Sequence, residues 1–423
     1  MNTIFAKLSL IFRDAGIRRR IIFTAGALVV FQLLANIPIP GVDLIRLKSF
    51  LSNNQFFGLI DIFSGGGLST LSIVMLGVGP YITGSIIMQL LTMMIPKLKQ
   101  MYQEEGELGR KKFAQYSRLL TVPLAVLQGF GFLTLLSRQG ILGSVTSFDM
   151  LINITVVVAG SILLMWIGEL VSEYGIGNGV SIIIFAGIIS RLPQMIAQFA
   201  LSFEMANLPM YLGFAAIALA IIYSVVVITE AERPIPVTYA KRVRGMKVYG
   251  GVSTYLPLRL NQAGVIPIIF ALSILLFPQM ISTFLSGLNN QIFQSIARVI
   301  ANFLANQWLY AGAYFALVFL FTYFYTAVTF DPDMISTNLQ KNGAFIPGVR
   351  PGQSTSEHLA NTITRLTLVG ALFLGVIAVL PLIMKAFTNN SALAIGGTAL
   401  LIVVSVVIDI LKKIDAQVAM REY

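Results

Sequence analysis

Apolar runs of roughly 15 to 25 residues recur ten times along the chain, separated by polar stretches, at or near the length a helix needs to cross a bilayer. They predict spans at about 21–37, 71–95, 119–136, 151–171, 178–192, 210–230, 262–285, 307–329, 363–384 and 393–411. The fifth is short: its apolar core, Val180 to Leu192, has 13 residues, a length that more often marks a buried or re-entrant helix. Charge settles its placement. If all ten runs cross, 23 of the 29 Lys and Arg fall on the side of the N-terminus and 6 on the other; if the fifth does not, the split is 14 against 15. The excess of cations on cytoplasmic loops favours ten crossings with both termini cytoplasmic.

Two stretches depart from this pattern. Phe56 to Phe63 is apolar but about half a spanning length, and runs through Ser64 into the glycines Gly65, Gly66 and Gly67. Irregular backbone at membrane depth survives only where protein buries it or where it lines a cavity, so a short helix tucked beside a cavity is expected. At the N-terminus Ile4, Leu8, Ile11 and Phe12 share one helical face with basic residues elsewhere, as in a helix lying on an anionic membrane surface. No small-residue cleavage site follows the run from Ile21 to Ile37, which reads as an uncleaved first span.

Composition agrees with a polytopic, all-α membrane protein. Apolar residues make up 56% of the 423, charged residues 11%, and the mean hydropathy is +0.82, outside the range of soluble domains. Continuous apolar runs exclude an outer-membrane barrel, whose strands alternate. Five spans in each of residues 1–205 and 206–423 would set two halves upside down to one another, a plan common among transporters that bind between their halves.

The residue types that catalysis or ion coupling needs are missing from the spans. Glu169, Glu173, Glu230, Glu232 and Asp409 fall at or beyond cytoplasmic ends, which counts against an ion-coupled carrier. There is no cysteine and a single histidine, His358, and no protease pattern, so neither a metal site nor a cofactor is expected and the chain reads as no enzyme. Gly175 to Gly179 and the glycine triplet lack the strand and lysine of a phosphate loop and read as turn and close-packing glycines.

The spans carry instead aliphatic stripes. Val78, Ile82 and Ile86 lie four apart on the second, Ile184 and Ile188 on the fifth, and Ile402 and Val406 on the tenth. Such stripes ordinarily mean helix packing or lipid contact, although a hydrophobic constriction can also seal a water-filled path. Thr83, Gln89, Gln128 and Asn261 are uncharged polar residues within or at the ends of spans, where they suit interhelical hydrogen bonds. Two cytoplasmic loops are long. Residues 231–261 alternate like a hairpin and carry Lys241, Arg242, Arg244 and Lys247; residues 330–358 end in a proline- and glycine-braced turn around Arg350. Rigid basic loops suit docking of a large acidic partner. On these residues a channel and an inverted-repeat secondary transporter both remain open, with a structural scaffold behind them.

FSGGGLS with PYITGSIIMQLL, GELGRKKFAQYSRLLT, GIGNGVSIIIFAGI, YAKRVRG, YLPLRLNQAGVIPIIFA and FIPGVRPGQSTSEHL follow one another in the order of the SecY family of protein-translocation channels, which the chain resembles over essentially its whole length. The resemblance implies two five-helix halves around an hourglass pore that opens sideways between spans two and three and spans seven and eight. It places a pore ring at Val78, Ile82, Ile86, Ile184, Ile188, Ile269 and Ile402, with Val78 departing from a pure isoleucine ring. It places a plug at Phe56, Phe57, Gly58, Leu59, Ile60, Asp61, Ile62, Phe63, Ser64, Gly65, Gly66, Gly67 and Leu68, and a polar gate seam at Thr83, Gln89, Gln128 and Asn261. It further implies the small membrane subunits SecE and SecG, the motor ATPase SecA, the ribosome with its RNA, signal peptides, nascent chains and anionic lipids as partners. Location in the bacterial plasma membrane follows from the same resemblance.

Overall fold

The computed structural model describes residues 14–43, 45–47, 49, 64, 66–142, 146–201, 205, 208–239, 242–244, 247–249, 253–286, 290–388 and 396–419. The N-terminal amphipathic stretch, Phe56 to Phe63, Gly65 and Lys241 lie outside them.

Ten helices stand at the ten predicted spans: α1 (Ala15–Ala35), α2 (Gly79–Met94, continued by α3, Pro96–Gln103), α4 (Gly106–Arg138), α5 (Ser147–Tyr174), α6 (Gly179–Leu201), α7 (Leu208–Glu230), α8 (Ile266–Ser286), then, after α9 (Gln291–Ala305), α10 (Gln307–Thr329), and, after α11 (Pro332–Lys341), α12 (Gln353–Thr388) and α13 (Gly396–Ala419). Among the described residues α4, α5, α7, α10 and α12 contain segments long and apolar enough to span a bilayer unaided, and α2 with α3 passes the same test only as a pair, bent by 113° at the break between them. The apolar parts of α6 and α8 are shorter, and Pro193 and Pro278 lie inside these helices. The three arginines Arg18 to Arg20 sit within α1.

Local chemistry sets several helix starts. The Asp14 carboxylate accepts from the Gly16 and Ile17 amides at 2.7 and 3.0 Å, Thr146 and Asp149 form a capping box on α5, and Asn306 and Asp331 cap α10 and α11. Between α5 and α6 the chain turns in a few residues. Gly177 has φ +87°, the Gly179 amide donates to Ser172 Oγ at 2.8 Å, and a Cβ on Gly179 would collide with the Gly168 carbonyl. These glycines therefore serve the turn and the close packing expected of them.

Several boundaries differ from the sequence reading, α4 and α12 beginning well ahead of the expected 119 and 363. The second span begins at Gly79 and not near residue 71, because Leu71 to Val78 run through turns tied to the chain after α1: the Ile39 amide donates to Leu71 O at 2.8 Å and the Ile73 amide to Ile37 O at 3.0 Å. The fifth span, short by its apolar core, continues as helix through Pro193 to Leu201. The chain also carries a small sheet. Strand β1 (Glu232–Tyr239) pairs antiparallel with β4 (Ser253–Arg259), from Glu232↔Arg259 to Thr238↔Ser253. Its far end pairs with β5 (Ala344–Phe345), giving the order β4-β1-β5; β2 (Arg242–Arg244) and β3 (Lys247–Tyr249) form a separate two-stranded ribbon. The two long loops thereby share one core: Ile235, Val237 and Leu258 meet Ala344, Ile346, Leu359 and Ile363. Alternation along β1 buries Ile235 and Val237 and leaves Pro234 and Pro236 exposed.

Helix packing falls largely into two groups. α1, α2, α4, α5 and α6 contact one another, as do α7, α8, α10, α12 and α13. The main contacts across the groups are α6 with α13, and α8 with both α2 and α4.

Candidate functional site

Residues of the aliphatic stripes share one large apolar cluster that links the two helix groups. Val78, the residue capping α2, lies in one continuous apolar cluster with Ile86 of α2, Ile184 and Ile188 of α6, Ile269 of α8 and Ile402 of α13; Ile82 packs against that cluster partly buried. Val406 belongs to the same cluster. All seven residues named for a pore ring thus belong to or border one large apolar cluster, which also takes in residues of α1, α5, α7, α10 and α12.

The polar residues are only partly brought together. Gln128 Nε2 on α4 donates to Thr83 Oγ1 on α2 at 3.5 Å, and both side chains are buried. Asn261 sits in the turn ahead of α8, donating to the Gly264 carbonyl at 3.2 Å, and its Oδ1 is buried without a hydrogen-bond partner. Gln89 Oε1 is likewise buried and unbonded. A buried polar atom left unpaired costs about 1–3 kcal/mol.

Of the expected plug, Ser64, Gly66, Gly67 and Leu68 are described. Ser64 is buried and its Oγ accepts from the Leu68 amide at 3.2 Å; Leu68 is sunk in a second apolar cluster with Ile39, Leu47, Leu71, Met75, Phe132, Leu133 and Leu136. Two anchors on the following residues escaped sequence reading. Arg191 Nη2 of α6 donates to Ser69 Oγ at 2.6 Å, and Thr70 Oγ1 donates to Ala35 O at 2.8 Å. A further contact crosses between the helix groups, Arg138 Nη1 of α4 to Ser286 Oγ of α8 at 3.4 Å. Ser69 and Arg191 stand 122 positions apart, Arg138 and Ser286 148, and no local pattern marks either pair.

On the loops, Arg350 is exposed, and its turn is braced by Thr355 Oγ1 donating to Arg350 O at 2.8 Å and Ser336 Oγ to Gly352 O at 2.6 Å. Arg242, Arg244 and Lys247 lie on the β2–β3 ribbon. Four of the five carboxylates flagged in sequence form ion pairs: Arg118 Nε with Glu169 at 2.5 Å, Lys412 with Glu230 at 2.9 Å, Lys413 with Asp409 at 3.2 Å and Arg259 Nε with Glu232 at 3.3 Å. Exposed pairs of this kind contribute about 0–1 kcal/mol each. Among the described residues no group of three or more His, Asp or Glu is placed to hold a metal ion.

A helical membrane protein whose two helix groups are joined by one large apolar cluster fits the build of a channel. The chain belongs to the SecY family: the family model described as SecY matches residues 72–411. It is similar to the protein translocase subunit SecY of Thermotoga maritima, 42% identical over 426 residues that cover 97% of this chain and 95% of the relative. The corresponding subunit of Corynebacterium glutamicum is 41% identical over 438 residues, 97% of either chain. Among solved structures, a protein-conducting channel matches at a TM-score of 0.63 with 20% identity, covering 96% of this chain and 93% of its own. The Sec61 channel of the canine ribosome–channel complex matches at 0.60 with 19% identity over the same shares. The protein is a channel subunit of the Sec translocon and not an enzyme.

Proposed function

We propose that the channel passes unfolded secretory polypeptides outward through the aliphatic cluster and releases apolar segments sideways through the seam between α2/α4 and α8. The observation that supports this is that Val78, Ile86, Ile184, Ile188, Ile269 and Ile402, with Ile82 packed against them, belong to one apolar cluster that joins both helix groups. A ring of aliphatic side chains binds no substrate side chain tightly, deforms around a moving chain and resists ion leakage by dewetting. Partition sorts the cargo: about twenty apolar residues gain free energy by entering lipid, and a polar segment does not.

In this reading residues 1–205 and 206–423 are the two inverted halves, and Phe56 to Leu68 form a plug held at its C-terminal end by Ser64, Leu68 and the Arg191–Ser69 bond. Thr83, Gln89, Gln128 and Asn261 line the gate. The β1–β5 platform with Lys241, Arg242, Arg244, Lys247 and Arg350 docks the motor ATPase SecA and, through ribosomal RNA, the ribosome. SecE and SecG complete the membrane complex. The setting is a bacterial plasma membrane, with anionic lipids and both termini cytoplasmic.

Photocrosslinkable residues placed at 82, 188, 402 and 350 test these assignments together. The first three are expected to join an arrested secretory chain and the fourth to join the motor. An arrested chain that meets none of the first three would remove the pore assignment, and a silent position 350 the docking one.

A further inference from the structure

Helix α9 joins α8 to α10 and has three distinct flanks. At 100° per residue, Ile292, Ile296, Val299 and Phe303 fall within an arc of about 60°, and all four are exposed, at 69%, 44%, 69% and 40%. Gln291, Ser295, Arg298 and Asn302 occupy a second arc of about 60°, centred about 100° round the helix from the first, and these are exposed as well. The third flank turns inward. Ala297 is buried, its carbonyl accepts from Ser282 Oγ of α8 at 2.9 Å, and Leu304 packs against the main apolar cluster.

A helix on the rim of a soluble domain needs one buried flank and one wet one, and four exposed aliphatic and aromatic side chains in line would be unfavourable there. The arrangement fits a helix leaning sideways on the bundle with its apolar flank down and its polar flank up. On the helices that flank α9 in the chain, Ile281 of α8 and Trp308 and Leu309 of α10 are exposed as well. Tryptophan at such a position is typical of the membrane–water boundary.

We propose that α9 lies in the outer surface of the bilayer, with Ile292, Ile296, Val299 and Phe303 inserted between headgroups and acyl chains. Its occupant is the lipid surface itself, and it steadies the outer end of the α8–α10 pair, half of the gate seam. The outer placement rests on the ten-span orientation with cytoplasmic termini; the insertion does not.

Because the chain has no cysteine, single cysteines report without background. Val299→Cys and Asn302→Cys, each carrying an environment-sensitive fluorophore, would be compared in the full chain with its small membrane subunits, in vesicles of phosphatidylcholine and phosphatidylglycerol. A nitroxide lipid labelled near the headgroup is expected to quench the probe at 299 severalfold more than the probe at 302, and aqueous iodide the reverse. Ile296→Cys repeats the measurement should Val299→Cys fold poorly. Equal lipid quenching at both positions, or a probe at 299 shielded from lipid and iodide alike by a covering protein, would overturn the insertion. Iodide reaching position 302 only from the cytoplasmic face would overturn the outer placement and leave the insertion standing.

Discussion

Along one face α4 meets α2, and along another it meets α8, and the two contacts are built from different materials. Against α2 the backbones approach closely: a Cβ on Gly84 would stand 3.1 Å from the Ser117 carbonyl oxygen and 3.2 Å from Thr121 Oγ1. Thr121 and Ser117 are buried there, and Gln128 reaches Thr83. Against α8 the hydrogen bond from Arg138 to Ser286 is long and exposed. In a bilayer, lipid tails are as apolar as isoleucine, so aliphatic contact between helices is readily exchanged for lipid, whereas small-residue packing and buried hydrogen bonds are not. The α2–α4 contact is therefore suited to permanence and the α4–α8 contact to opening.

The largest expected effect comes from attacking the permanent side. Gly84→Leu forces a side chain onto a backbone carbonyl that cannot yield, and should destabilise the channel by about 1–3 kcal/mol, read as a lowered Tm in detergent. Ser286→Ala, on the separable side, should change stability by less than about 0.5 kcal/mol in the same assay. Similar losses for the two variants would erase the distinction between the contacts.

Much of this was legible in sequence because bilayer-spanning helices announce themselves by length and hydropathy. All ten spans are helical, and the hairpin in residues 231–261 is realised as β1 with β4. What escaped depends on contacts remote in sequence or on mixed polarity. Gln291, Gln294, Ser295, Arg298 and Asn302 interrupt the hydropathy of α9, so a search for continuous apolar runs passes over it. Leu71 to Val78 are apolar enough to extend the second span, yet bonds to Ile37 and Ile39 hold them in turns. Strand β5 completes the sheet from a loop about a hundred residues further along, and no periodicity in residues 231–261 could foretell that partner. The stripes at 78, 82 and 86, at 184 and 188 and at 402 and 406 are legible as helix faces, whereas the ring assignment, Ile269 included, comes from the family resemblance and not from spacing.

The central claim is that this aliphatic cluster is the channel's constriction, and the most direct measurement is on Ile402, buried where α13 enters it. Ile402→Asn places an amide in the ring and should let water wet it. In planar bilayers the idle channel is expected to leak ions above the level of the unsubstituted protein, and in vesicles export of proteins with weak signal sequences should quicken. An Ile402→Asn channel that is inserted normally, stays as tight to ions and exports at the same rate would contradict the account.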